Sequence, residues 1–294
     1  MKGIILAGGA GSRLYPLTQV ITKQLQPIYD KPMIYYPISL LMLGGVKDIL
    51  IISTPQDAPH FERLLGNGSK LGLNIQYATQ NAPKGIPEAF LIGEKFIAGD
   101  DVNLVLGDNL FYGDIGFYRR AIKAQTEKTD QFKGRVFAYP VKDPERYGVV
   151  EFEKKTKKVL SIEEKPSKPR SNYAIPGLYL FDGSVVERAK SLKPSDRGET
   201  EIVDIIRSYF KEGTLGVEAI TRGVAWLDTG TPQSMLEASS YIAAIEQRQG
   251  LKVACLEEIA LRMNYIDHGS FEALVSSLPK SPYREYLEDM AKEI

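Results

Sequence analysis

The chain has 294 residues, 43% hydrophobic and 25% charged, and its 37 basic residues balance 37 acidic ones. That length buries roughly 75% of the unfolded surface without staples, and zero net charge argues against nucleic acid or an anionic membrane as partner. A single cysteine, Cys255, excludes an intrachain disulfide and a Cys-based metal site.

The apolar run at 4–7 is too short for a signal-peptide core, and no stretch approaches the ~18 apolar residues of a membrane span. The expectation is a cytoplasmic protein. Uninterrupted runs rich in Ile, Val and Leu at 3–7, 48–54, 73–79, 102–107 and 135–141 fit strands buried on both faces. Between them, helical patterns run over 31–43, 56–65, 87–96 and 116–126. This alternation predicts an α/β fold with a doubly wound, mostly parallel sheet, whose ligands bind beyond the carboxyl ends of the strands. From Gly148 the pattern changes to a hairpin, 149–153 and 159–163, whose basic turn (Lys154, Lys155, Lys157, Lys158) reads as solvated rather than as a phosphate patch. A strand over 173–182 leads to helices at 183–191 and 201–211. A short strand at 225–227 precedes a long helix at 232–248, and short helices fill 255–294. The division expected is one domain, 1–250, with a first part to about 147 and an inserted β-rich part at 148–230. A helical tail, 251–294, follows.

The chemistry is concentrated at strand ends. The first run opens into Gly8-Gly9-Ala10-Gly11-Ser12-Arg13; such glycines let backbone N–H groups approach an anion. It is not a Rossmann turn, because Leu14 stands where the third Gly belongs, and not a P-loop, because Ser12-Arg13 replaces Lys-Ser/Thr. That also weakens a nicotinamide-dependent dehydrogenase as the reading. Arg13 and Lys23 are two cations suited to a triphosphate. Asp108 ends the fourth run after Gly107, and Asp228 repeats the arrangement in Trp226-Leu227-Asp228-Thr229-Gly230. Two strand-end carboxylates can share one Mg²⁺ that keeps several waters and bridges phosphates. The alternative for each is capping of a turn or helix, although Thr231 could cap the helix after Asp228. Only two histidines, His60 and His268, leave little scope for His-centred catalysis.

The ordered series Gly8 to Thr18, Lys23-Gln24-Leu25, Asp30-Lys31-Pro32-Met33, Leu106-Gly107-Asp108-Asn109 and Glu145-Arg146-Tyr147-Gly148 resembles glucose-1-phosphate thymidylyltransferases of the sugar nucleotidyltransferase family. The likeness continues through Glu163-Glu164-Lys165-Pro166, Ser171-Asn172-Tyr173, Asp196-Arg197-Gly198-Glu199, Ala225 to Thr231 and Cys255 to Ala260, covering nearly the whole chain. The resemblance implies the nucleotide-diphospho-sugar transferase fold and a reaction between dTTP and glucose 1-phosphate. It places the triphosphate on Gly8, Gly9, Gly11 and Ser12, neutralised by Arg13 and Lys23, with Gln24 and Asp108 also on the nucleotide side. Gln80 and Gly85 would read the pyrimidine edge, and Asp108 and Asp228 would hold Mg²⁺. Gly148, Glu164 and Ile175 would contact glucose, Lys165 its phosphate, and Asn109, Glu199 and Trp226 would flank the sugar. It further implies a homotetramer feeding dTDP-rhamnose synthesis, with the tail as interface and a dTDP-sugar effector near Arg222 and Glu258. A helical cap is the plainer reading of the tail. Gln26 stands where Leu is common, and Gly85-Ile86-Pro87-Glu88 replaces the usual Gly-Leu-Ala-Gln, which puts base preference, dTTP or UTP, in question. A catalytically silent subunit on this fold should lack Arg13, Lys23, Asp108, Lys165 and Asp228; all are present.

Overall fold

The computed structural model describes residues 1–9, 11–153, 155–195 and 198–292. The first run becomes β1 (Lys2–Leu6), followed by a two-residue-per-strand hairpin, β2 (Pro27–Ile28) and β3 (Lys31–Pro32), and then α1 (Tyr35–Leu43). Alternation continues through β4 (Asp48–Ser53), α2 (Ala58–Leu65), β5 (Asn74–Thr79), α3 (Glu88–Ile92), α4 (Glu94–Ile97) and β6 (Val102–Leu106). Next come β7 (Asn109–Tyr112), α5 (Gly116–Glu127) and β8 (Gly134–Pro140). The second half adds β9 (Gly148–Phe152), β10 (Val159–Glu164), β11 (Tyr173–Ala174), β12 (Leu178–Phe181), α6 (Val185–Lys190) and α7 (Ile202–Lys211). It closes with β13 (Leu215–Ala219), β14 (Ala225–Asp228), α8 (Pro232–Gln249) and the tail helices α9 (Leu256–Arg262), α10 (His268–Ser277) and α11 (Pro282–Ala291).

The main sheet runs β10-β9-β11-β8-β12-β6-β1-β4-β5, with β13 also paired to β8. β6, β1, β4 and β5 are mutually parallel, whereas β12 lies antiparallel between β6 and β8. The sheet is therefore mixed, parallel on the nucleotide side and antiparallel where β9, β10 and β11 join. Side chains alternate across it: Ile5 and Ile49 face α1, and Ile4 and Leu50 face the opposite core with Ile205 and Ile206 of α7. This two-sided burial is why the runs lack polar alternation.

Two expected elements are corrected. The helix expected from residue 31 begins at Tyr35, because Ile28 and Lys31 pair across the small hairpin. The single strand at 173–182 is broken: proline cannot donate to a ladder, and Pro176-Gly177 separates β11 from β12. A Cβ at Gly177 would lie 2.5 Å from Leu106 Cδ1.

The tail is packed on its own chain. Leu256 and Ala260 of α9 lie in the same core as Ile5, Ile38 and Ile49, and Tyr265 donates to the Met42 carbonyl at 2.7 Å. Beneath it, Lys31, only 2% exposed, contacts Glu246 at 2.9 Å and pairs with Asp30, and Lys252 pairs with Asp30 and reaches Glu246 at 3.4 Å. Among the described residues, no helix is long and apolar enough to cross a membrane.

Candidate active site

The β1 strand delivers the chain to the glycine turn. Gly9 and Gly11 have φ of 112° and 56°, and Ser12–Leu14 then forms one 3-10 turn. Thr18 donates to the Gly11 carbonyl at 3.0 Å and closes the loop. Arg13 is exposed and lies beside Gly230, where an added Cβ would sit 2.9 Å from its Nη2. Gln24, by contrast, is buried, accepts from Thr22 at 2.6 Å and packs its Cγ beneath Gly107. It supports the strand end rather than lining the cavity described below.

Strand register brings the two aspartates together. Asn109 of β7 pairs with Asp228 of β14, so Asp108, just before β7, lies beside the end of β14. The Asp108 carbonyl accepts from Thr229 Oγ1 at 2.9 Å, which ties the two ends. The Asp108 carboxylate pairs with Lys23 and accepts from Asn109 Nδ2 at 3.0 Å. Burial pushes the Asp108 carboxyl up, but the Lys23 ammonium beside it outweighs this and holds it below the ordinary carboxylate range. Asp228 is displaced the other way: burial raises it, and the Asp108 charge raises it further, against Lys23 and Arg13. Neither residue is needed as a helix cap. Thr231 caps α8, its Oγ1 accepting from Ser234 N at 3.2 Å while Ser234 Oγ accepts from Thr231 N at 3.0 Å. Two carboxylates held against their mutual repulsion suit a divalent cation. Among the described residues no group of three or more His, Cys, Asp or Glu side chains is arranged to hold a metal ion; a hard cation here would complete its shell with water and phosphate oxygens.

A cavity of about 280 Å³ opens over this pair. It gathers the expected residues Arg13, Asp108, Asn109, Gly148, Glu164, Lys165, Ile175, Trp226 and Asp228. One wall is organised by Asn109, whose Oδ1 accepts from Trp226 Nε1 at 2.7 Å and from Gly177 N at 3.0 Å. The Trp226 ring meets Tyr147 edge-on at 5.2 Å. The opposite wall is the β9–β10 end, where Gly148 pairs with Glu164 and its carbonyl accepts from Ile175 N at 2.8 Å. Lys165 follows in a left-handed conformation, φ 42°, fixed by its N–H donating to the Tyr147 carbonyl at 3.0 Å. A non-glycine residue there is strained, as residues at functional sites often are.

Gln80 and Gly85, the residues expected at the base, follow β5, two strands from β1. Gln80 is 6% exposed, and its Nε2 donates to Glu88 Oε2 at 2.6 Å. A Cβ at Gly8 would lie 2.9 Å from Gln80 Oε1, so this glycine leaves room for the amide. Gly85 has φ 103°, and a Cβ there would come within 2.0 Å of the Thr200 carbonyl. The two segments are joined by Thr200 N and Oγ1, each donating to the Lys84 carbonyl at 2.9 Å.

Sequence reasoning left the Arg146 and Tyr147 side chains without a role, although both stand in the motif before Gly148. Both line the cavity, and Arg146 Nη2 is 4.0 Å from Asp228. It also missed the apolar floor of Ile202, Val203 and Ile206, which only the packing of α7 under β10 reveals. Glu199 lies on an exposed turn, its carbonyl accepting from Ser195 N at 2.8 Å, and is not among the residues lining the cavity. Asp196 and Arg197 of the same motif, Ala10 of the glycine loop and Lys154 of the basic turn lie outside the described residues. In that turn, Lys157 pairs with Glu218 at 2.9 Å rather than joining a phosphate patch.

A glycine loop at a parallel-strand end, whose Arg13 joins two carboxylates and Lys165 in one cavity, fits an enzyme that joins a nucleotide to a phosphorylated small molecule. The nucleotidyl transferase family model matches residues 2–245. Glucose-1-phosphate thymidylyltransferases from Neisseria meningitidis and Mycobacterium tuberculosis are each 51% identical, over 100% of both chains and 99% of both chains respectively. Among solved structures, a glucose-1-phosphate thymidylyltransferase assignment from Bacillus anthracis, in complex with sucrose, superposes with TM-score 0.75 at 39% identity, over 82% of this chain and 94% of that one. A UDP-glucose pyrophosphorylase bound to UDP-glucose, 24% identical with TM-score 0.72 over 84% of this chain and 99% of that one, shares the fold. The chain belongs to the nucleotidyl transferase family, among its glucose-1-phosphate thymidylyltransferases.

Proposed function

We propose that the protein transfers a thymidylyl group from dTTP to α-D-glucose 1-phosphate, forming dTDP-glucose and pyrophosphate. The observation that carries this is one cavity lined by Arg13 at the end of the glycine loop, by the two carboxylates Asp108 and Asp228, and by the Gly148–Glu164 and Trp226 walls. A sugar phosphate near neutral pH is largely dianionic, since its second pKa is ~6, so no general base is required to create the nucleophile. Its oxygen attacks the α-phosphorus in line as the bond to pyrophosphate breaks. Arg13 and Lys23 offset charge on the nucleotide, and Lys165, across the cavity, holds the sugar phosphate. Asn109, Trp226, Gly148 and Glu164 fix the glucose ring so that the two anions meet at an attacking distance. Asp108 and Asp228 would hold one Mg²⁺, which when bound neutralises phosphate charge as a Lewis acid.

The test is pyrophosphate release from glucose 1-phosphate with dTTP and with UTP, in the presence of Mg²⁺. No turnover with either nucleotide overturns the enzymatic reading. On the same reading the enzyme acts in the cytoplasm as a homotetramer at the head of dTDP-rhamnose synthesis. A dTDP-sugar effector is placed near Arg222 and Glu258, the latter held by Tyr286 at 2.5 Å and Arg262 at 2.7 Å. Light scattering with and without dTDP-rhamnose, paired with inhibition of Arg222→Ala, tests this; a monomer insensitive to dTDP-rhamnose overturns it.

A further inference from the structure

Glu88 occupies the first turn of α3, its side chain 18% exposed and its Oε1 3.8 Å from the Lys84 ammonium. Its Oε2 takes the Gln80 amide nitrogen at 2.6 Å. An ionised carboxylate can only accept hydrogen bonds, so it accepts the Gln80 amide in one orientation. Rotating that amide by 180° would set its carbonyl oxygen against the carboxylate. The permitted orientation leaves Gln80 Oε1 beside Gly8, at the entrance of the phosphate loop, where it accepts no hydrogen bond among the described residues. We propose that Glu88 is a positioning residue for nucleotide selection: it locks the Gln80 amide so that an acceptor faces the base, selecting pyrimidines that carry an N3–H.

The chemistry of the bases supplies the discrimination. Thymine and uracil both present an N3–H donor to an acceptor at this position, whereas cytosine presents a bare N3 lone pair and would leave two acceptors opposed. An unpaired or opposed polar group at a buried contact is the strongest source of selectivity available to such a site. The contact does not separate thymine from uracil, which differ at the methyl group. This inference rests on the thymidylyltransferase reading only for the identity of the nucleotide; the amide lock is a property of Gln80 and Glu88.

The experiment measures binding of dTTP, UTP and dCTP by titration calorimetry, and turnover with glucose 1-phosphate, for the natural protein, Glu88→Gln and Glu88→Ala. The natural protein should prefer dTTP and UTP over dCTP. Glu88→Ala should shrink that ratio on the order of 10-fold, the scale of one hydrogen bond, with the dTTP-to-UTP ratio unmoved. Glu88→Gln, which still offers an acceptor but no longer enforces it, should fall between. Thermal midpoints report folding of each variant separately from the ratios. A natural protein that binds dCTP as well as dTTP, or a Glu88→Ala variant that weakens all three equally, overturns the lock. Absent turnover with intact, Glu88-dependent binding ratios would sink the transfer reaction while leaving the lock standing.

Discussion

Two lysine–carboxylate clusters are built on lysines close together in the chain, Lys23 and Lys31, and serve opposite ends. At the root of the tail, Lys31 and Lys252 meet Asp30 and Glu246, two charges of each sign, with Lys31 2% and Glu246 6% exposed. The cluster is complete: Val253 N donates to Glu246 at 2.8 Å, so the carboxylate is satisfied within the fold. At the cavity's edge, Lys23 (14% exposed) pairs with Asp108 (17%), while Asp228 has its ion-pair contact with Arg146 at 4.0 Å, accepts from Gly230 N in its own turn, and feels the charges of Lys23 and Arg13. There the carboxylates repel each other and the cations line a void. Matched charge that closes on itself is structure; the same groups facing open space, with one carboxylate disfavoured, have the chemistry that suits a cation and a polyanion.

The contrast can be broken at either end. The largest effect is expected from Lys31→Met, which leaves Asp30 and the buried Glu246 to share Lys252 alone and should cost about 3 kcal/mol of stability in urea melts. Lys31→Met combined with Glu246→Leu should recover most of that, because an apolar pair of similar volume carries no desolvation penalty. Activity per folded molecule should stay unchanged in both. Full additivity of the two losses would show that the cluster is not one unit.

Asp108→Asn and Asp228→Asn should do the reverse, each lowering turnover by ~100-fold or more. Asp228→Asn should also raise the urea midpoint of the ligand-free protein, since it removes a charge that burial and Asp108 oppose. Near-native turnover at limiting Mg²⁺ in either variant would remove that residue from the metal site.

A smaller, pH-dependent difference belongs to Asp30. Burial raises its carboxyl, but hydrogen bonds and charge from Lys252 and Lys31 outweigh this and hold it below the ordinary value. A depressed folded pKa gives stability that is present above the unfolded pKa, about 3.9, and is lost as pH falls through the folded value. Asp30→Asn should therefore flatten the acid limb of stability against pH while leaving the neutral limb parallel to the natural protein's. Identical acid limbs would detach Asp30 from the cluster. The least effect is expected for Thr231→Ala, a lost helix cap worth about 1 kcal/mol, measured by thermal melting with turnover largely retained. A loss of turnover comparable to that of Asp228→Asn would mean the cap and the carboxylate act together.

The strands that carry the nucleotide side were legible because parallel strands buried on both faces leave unmistakable apolar runs, and Asp108 and Asp228 followed from lying at run ends. β7 was not, because Asn109–Tyr112 follows Gly107-Asp108 without a break and reads as part of a turn. β13 was missed for a different reason: Leu215–Ala219 is short and contains Gly216, against which Phe132 and Arg135 pack. Both depend on partners far along the chain, β14 and β8. The facing of Asp108 and Asp228 depends on the first of those pairings. The cavity's apolar floor was hidden likewise: Ile202, Val203 and Ile206 look like any helix stripe until α7 is seated. Nothing local in Asn109 showed that its one oxygen would serve both Trp226 and Gly177.

The seat of α9 on α1 has a consequence for the order in which the molecule can be finished. Leu256 and Ala260 fill the same core as Ile5, Ile38 and Ile49, so the earliest and latest parts of the chain share one interior. During synthesis, when amino-terminal segments ordinarily fold first, the α1 face must wait uncovered until α9 has been made. Chains stalled before that point would carry the glycine loop, both aspartates and the whole cavity wall, yet expose an apolar groove.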